Sequence, residues 1–308
     1  MINVESVCRY YGQNAAISQV SFTVEPNTVV GFLGRNGAGK STMLKILAGL
    51  LEPSSGHVEI NGKDLSEGED TFQSQIGYLP EEPPLYREMT VTDYLMFLGG
   101  LRGMTKSQLK DRIPNLLQLC QLQKYANWVI ETLSLGYRKR VGIAQAIIHS
   151  PKLIILDEPT SGLDPQQIKG MRELIRSLSQ DATVLISSHN LSEVSETCDQ
   201  LLILNDGLLV DSGTAEELAS RANHGSHHLD LVLVGEQESV ESALQSFPAA
   251  QNPRYAGTAP IEVSLILKDS SAEDLVKHLV EQSIGVRSVT GQTHELENIF
   301  LTLTGGGQ

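Results

Sequence analysis

The chain is short of every feature that would place it in a membrane, outside a cell or on a nucleic acid. Its longest apolar runs, such as Leu153–Leu156 and residues 184–186, fall far below the roughly 18 residues that a membrane-spanning helix needs. The first residues, Met1-Ile2-Asn3-Val4-Glu5, carry a carboxylate and lack a basic start leading into an apolar core. A secretory leader is therefore not expected, and the chain reads as cytosolic. Cysteine is scarce: Cys8, Cys120 and Cys198 are odd in number, widely spaced and form no C-x-x-C pair. That leaves thiols in a reducing compartment rather than disulfides or a zinc site. Basic residues are the minority, 23 Lys and Arg against 37 Asp and Glu, for a formal net charge of −14. A nucleic-acid binder would show a basic stripe instead. There is no internal repeat.

What is present is enough chain, 308 residues, for one large α/β domain and a small one. Residues 17–24 and 28–33 are β-branched and apolar, so they read as strands, and the second runs directly into a glycine-rich loop. After Lys40, the spacing of Met43, Leu44, Ile46, Leu47 and Leu50 marks a helix face that ends near Gly49 and Pro53. Residues 57–60 followed by Asn61-Gly62 read as a strand and tight turn of an antiparallel subdomain. Residues 91–125 carry helical periodicity and form an inserted helical subdomain. Leu153–Leu156 and residues 183–187 are continuous apolar strands of the kind buried in a parallel sheet. The helix after Pro165 joins them into a βαβ unit. Periodicity breaks at 220–226, which places domains at 1–222 and 223–308. Beyond the break the order strand, helix, strand, strand, helix, strand predicts a small ferredoxin-like α+β domain. His224, His227 and His228 form a cluster without cysteine or carboxylate companions, so a linker is the better reading than a metal site.

Two segments carry explicit chemistry. Gly34-Arg35-Asn36-Gly37-Ala38-Gly39-Lys40-Ser41 fits G-x-x-x-x-G-K-[ST] with the flanking strand and helix that pattern requires. Glycines let backbone N–H groups wrap a phosphate, and the helix N-terminus adds a positive dipole. Lys40 would reach the β- and γ-phosphates of ATP, and Ser41, followed by Thr42, would hold Mg²⁺. Leu153–Leu156 then delivers Asp157-Glu158 at the end of a strand, the expected ligand edge of an open α/β sheet. Asp157 is the second magnesium candidate and Glu158 the general base for an attacking water. The competing reading is an acidic pair at a helix start.

Together with Tyr78-Leu79-Pro80-Glu81, Leu133-Ser134-Leu135-Gly136-Tyr137 and Ser188-His189, in this order, the segments resemble the nucleotide-binding subunit of an ATP-binding cassette (ABC) transporter. The resemblance covers roughly residues 1–220, and the tail 295–301 looks like the closing helix of the family's exporter-type subunits. It implies a P-loop NTPase cassette with antiparallel β and helical subdomains. Glu81 then stands where the family has a glutamine that contacts Mg²⁺. Ser134 and Gly136 belong to the signature segment, which would face the γ-phosphate of a second cassette. Leu135 and Tyr137 depart from its Leu-Ser-Gly-Gly-Gln form. Asp164 falls in the D-loop, His189 matches the γ-phosphate switch, and Tyr11 matches the aromatic that stacks on adenine, with Tyr10 as competitor and a core tyrosine as the plain alternative. The resemblance further implies a homodimer of cassettes that drives a separate transmembrane permease, as an exporter, from the inner membrane face. The rival reading is an ABC ATPase that mechanically regulates a membrane or envelope complex.

Overall fold

The computed structural model describes residues 1–65, 74–222, 226–257, 260–268 and 270–291, and for residues 220, 222, 226–228 and 291 the backbone only. By internal packing the chain divides into two compact units, Met1–Ala215 and Glu216–Gln308. The break falls at the first residue of the helix Ala215–Ala222, whereas the loss of periodicity in the sequence points just past that helix.

The first unit is built on two sheets. One is antiparallel, with β1 (Ile2–Tyr11), β2 (Asn14–Val24), β4 (Ser55–Ile60) and β5 (Lys63–Asp64) in the order β2-β1-β4-β5. The other has six strands: β3 (Val29–Leu33), β6 (Ile76–Leu79), β7 (Leu153–Leu156), β8 (Thr183–Ser188), β9 (Gln200–Asn205) and β10 (Leu208–Gly213), in the order β10-β9-β3-β8-β7-β6. Its members run parallel except for the β9–β10 hairpin. Every residue of β3, β7 and β8 is buried, which is why these strands are continuous apolar runs rather than alternating ones. The helix Lys40–Leu47 packs Met43, Leu44, Ile46 and Leu47 into one core with Val4, Ile17 and Phe22 of the antiparallel sheet and Phe32 and Ile155 of the parallel one.

Register sets the site. Leu33 pairs with Ser188 and Leu156 pairs with Ile186, so the carboxyl ends of β3, β8 and β7 finish side by side. The segments after them, starting at Gly34, His189 and Asp157, therefore emerge at one edge of the sheet, where ligands bind in open α/β folds.

The inserted segment holds the helices Val91–Leu101 and Lys106–Leu119. Thr90 caps the first, and a Thr105–Gln108 capping box starts the second. The helix Leu135–Ile147 follows. Among the described residues no helix is long and apolar enough to cross a membrane. The three cysteines are buried and free.

In the second unit, β11 (Ser226–Val234), β12 (Ala250–Ala256), β13 (Ile261–Lys268) and β14 (Gly285–Gly291) form an antiparallel sheet in the order β12-β13-β11-β14. The helices Gln237–Gln245 and Ala272–Glu281 complete the order βαββαβ, the split βαβ motif. In β13, residues alternate buried and open. Its inward side chains, from Ile261 to Leu267, join Val240, Leu244, Leu275 and Leu279 in a separate core. The closing helix expected at 295–301 and His224 lie outside the described residues, as do the side chains of His227 and His228.

Candidate functional site

The loop after β3 is shaped by close backbone approach. A Cβ on Gly34 would stand 2.6 Å from the Leu204 carbonyl oxygen and 2.9 Å from Ala38 Cβ, so only glycine fits beside β9. Gly39 has φ +102° and lies where a Cβ would meet the Ala16 carbonyl oxygen at 2.6 Å. It is the N-cap of the helix Lys40–Leu47, which has no side-chain cap and no acidic residue in its first turn. The positive end of that helix is left for an anion. Lys40 is buried, and its Nζ donates to the carbonyls of Gly34 at 2.7 Å and Arg35 at 3.3 Å. The same ammonium stands 3.7 Å from Glu158 Oε1. Burial lowers its pKa from the usual lysine value, and Glu158 and Asp157 oppose that.

Asp157 and Glu158 are also buried, 4% and 7% exposed. Two hydroxyls converge on Asp157 Oδ1: Ser41 Oγ donates at 3.1 Å and Ser187 Oγ at 2.5 Å. Ser187 Oγ in turn accepts the Glu158 backbone N–H at 2.8 Å. Glu158 adopts φ +48°, a region that non-glycine residues seldom enter. His189 Nδ1 stands 2.9 Å from Glu158 Oε2, and since a carboxylate only accepts, the ring N–H is the donor.

These groups line one cavity of about 440 Å³. The loop and helix contribute Asn36, Gly37, Gly39, Lys40, Ser41 and Thr42 to it, and Glu81, Glu158 and His189 face them. Ala16 and Ser161 complete the wall. Asp157 sits behind the wall, bonded to Ser41. Gly34, Arg35 and Ala38 shape the loop without lining the cavity.

The remaining candidates are elsewhere. Ser134 is the N-cap of the helix Leu135–Ile147 and accepts the Tyr137 N–H at 3.5 Å. Gly136 and Asp164 line a second cavity of about 450 Å³. Asp164 also caps the helix Pro165–Leu178 through the Gln167 N–H at 2.9 Å. Tyr10 and Tyr11 are 48% and 51% exposed, so neither is a core tyrosine. Arg9 lies over the Tyr11 ring at 5.1 Å. Tyr137 packs on Tyr125 with ring centroids 4.1 Å apart.

Motif reading missed two residues of this site. Ser187 was visible as a hydroxyl directly after the apolar run Val184-Leu185-Ile186 of β8. Lys139 is 3% exposed and donates to the Glu158 carbonyl at 2.7 Å. Its signal is a lysine at helical spacing from the buried Ile143 and Ala146.

The chain has relatives among known proteins. A family model described as ABC transporter matches residues 17–161. The uncharacterized ABC transporter ATP-binding protein YxlF of Bacillus subtilis is 33% identical over 302 residues, 98% of each chain. The bacitracin transport ATP-binding protein BcrA of Bacillus licheniformis is 33% identical over 309 residues, covering 100% of this chain and 98% of its own. Among solved structures, an ATP-binding subunit of an ABC transporter superposes with TM-score 0.65 at 32% identity, over 72% of this chain and 92% of the other. The cassette MJ0796, solved as a dimer in a post-hydrolysis state with ADP and phosphate, gives TM-score 0.62 at 25% identity, over 70% and 98%. The chain belongs to the ABC transporter family, as an ATP-binding subunit that hydrolyses ATP.

Proposed function

We propose that the chain is the ATPase subunit of an exporter, working as a pair of cassettes that drives a separate membrane permease from the inner membrane face. One observation carries the pairing: Lys40, Ser41, Glu158 and His189 surround one cavity, whereas Gly136 and Asp164 line another. A single chain thus holds two half-sites, and a second cassette completes each. Within the chain, a Cβ on Gly136 would stand 2.4 Å from Gln167 Oε1, so the signature helix packs closely on the helix that Asp164 caps. The dimeric MJ0796 structure supports pairing, and BcrA's role in bacitracin transport supports export.

In this reading, Lys40 and the loop amides hold the β- and γ-phosphates, Tyr11 stacks on adenine, and Arg35 and Asn36 flank the phosphates. The residues present fit a magnesium ion. Among the described residues, no three His, Cys, Asp or Glu side chains cluster as a metal cage. Instead, the Ser41 hydroxyl and the Asp157 carboxylate lie 3.1 Å apart, with Glu81 at the wall. Such a sparse protein shell suits a cation that keeps its waters and shares phosphate oxygens. When bound, the ion would neutralise charge on the transferring phosphoryl group. Glu158 takes the proton of the attacking water, oriented by His189. Residues 1–222 form the cassette, and 223–308 an appendix outside the chemistry.

The test is complementation. Ser134→Arg removes the signature half-site and Lys40→Ala the phosphate half-site, so each homodimer loses activity. Mixed in equal amounts, they assemble one intact composite site per heterodimer, and part of the ATPase activity returns. Normal turnover by Ser134→Arg alone, or no recovery on mixing, overturns the paired reading.

A further inference from the structure

We propose that Lys139 is a positioning residue for the catalytic base, holding the Glu158 peptide in the left-handed conformation that directs its carboxylate at His189. The inference rests on the assignment of Glu158 as base. The Glu158 peptide is gripped from two elements at once. Its N–H is held by Ser187 Oγ of β8 at 2.8 Å, and its carbonyl by Lys139 Nζ of the helix Leu135–Ile147 at 2.7 Å. Both bonds are buried, and they flank the φ of +48°. A residue with a Cβ holds such a conformation only where its surroundings over-determine it.

The position is chemically unusual. An ammonium 3% exposed is donated to a neutral carbonyl, while the carboxylates of Glu81, Glu158, Glu193 and Asp157 all lie within electrostatic reach. Lys139 therefore does two things with one group. It fixes the backbone beneath the base, and it adds a second buried cation beside Lys40 among four acidic side chains. Glu158 Oε2 is already engaged by the His189 ring at 2.9 Å. Without the lysine, the carbonyl keeps only the longer bond from the Ser161 N–H, at 3.2 Å, so the peptide is freer to relax toward ordinary φ and to swing the carboxylate off that ring. A lysine stem is what spans the distance from a helix axis to a turn at the end of β7.

The experiment uses the full-length chain and ATP with magnesium. Lys139→Met keeps the stem and its packing but removes the donor. We expect kcat to fall about 10- to 100-fold, the cost of displacing a catalytic group by around an ångström. The ATP dissociation constant should stay within about threefold, since direct phosphate contacts are untouched. Lys139→Arg, which still donates, should recover part of the rate. On a Glu158→Gln background, Lys139→Met should lower the residual rate no further, because no base remains to misplace. Normal kcat in Lys139→Met, or an equal fractional loss with and without Glu158, overturns the inference. If Glu158→Gln itself keeps near-normal turnover, the base assignment fails instead, a separate result. Should Lys139→Met not fold, Lys139→Arg and Lys139→Gln carry the test: turnover must descend from Lys through Arg to Gln at unchanged ATP affinity, and equal rates in all three reject it.

Discussion

His149 illustrates how one ring can set a pH limit away from the nucleotide. Its Nε2 lies 3.1 Å from the Ile76 carbonyl, and its Nδ1 is buried with no hydrogen-bond partner. That suits a neutral imidazole with one N–H and one free lone pair. Burial first, then the nearby Arg102 and Arg112 guanidiniums, push its pKa from 6.5 down to about 4. The folded-state value lies below the unfolded one, so the stabilisation is full above pH 6.5 and is lost as pH falls toward 4. Allowing for partial solvent access, it amounts to about 1–3 kcal/mol. Urea unfolding should show that loss across this window, and His149→Gln should flatten it. A variant with the wild-type pH slope would show that other groups carry it. At this scale the sequence revealed the residues whose pattern is local, such as Lys40 and Ser41 in one loop and Asp157-Glu158 at one strand end. Lys139 was hidden because its partner lies 19 residues away on another element, and no short pattern records that reach.

The strand β6 and the helix Leu135–Ile147 meet backbone to backbone. A Cβ on Gly77 would lie 2.2 Å from the Ala146 carbonyl oxygen, and backbone cannot step aside as a side chain can. Gly77→Ala should cost about 2–4 kcal/mol, at the severe end for one methyl, because it forces strand and helix apart. Thermal unfolding measures this directly, and an unchanged midpoint would mean that the contact is relaxed in solution. The buried strands β3, β7 and β8 were legible from their uninterrupted apolar runs. The strand β1 was not: Ser6 has φ +48° and the pairing with β2 shifts between Val4 and Val7, so its alternation breaks mid-strand. β6 escaped notice because four residues that include a glycine give too short a period to recognise.

For the molecule as a whole, each unit owns a hydrophobic core. The first gathers Val4, Phe32, Leu44 and Ile155, and the second gathers Leu231, Val263, Leu265 and Leu279. All candidate chemistry lies in the first. A chain ending at Ala222 should therefore fold and bind ATP with magnesium within about threefold of the full-length affinity, since a domain with its own core can fold alone. Calorimetry decides: a soluble, folded truncation that fails to bind would require the second unit to complete the site. The βαββαβ order was readable from strand and helix spacing, but what that unit does is a question of surface chemistry, which fold alone does not answer.

The pairing of Leu33 with Ser188 joins positions 155 apart in sequence (188 − 33), and this has a consequence in time. A ribosome adding roughly 5–20 residues per second makes the phosphate loop early and the switch histidine many seconds later. Until β8 has been inserted between β3 and β7, Glu158 has neither Ser187 nor His189 beside it. The nascent protein can thus own a complete glycine loop and still be unable to spend ATP. The chain's own half of the site is assembled only when β8 fills the gap between β3 and β7.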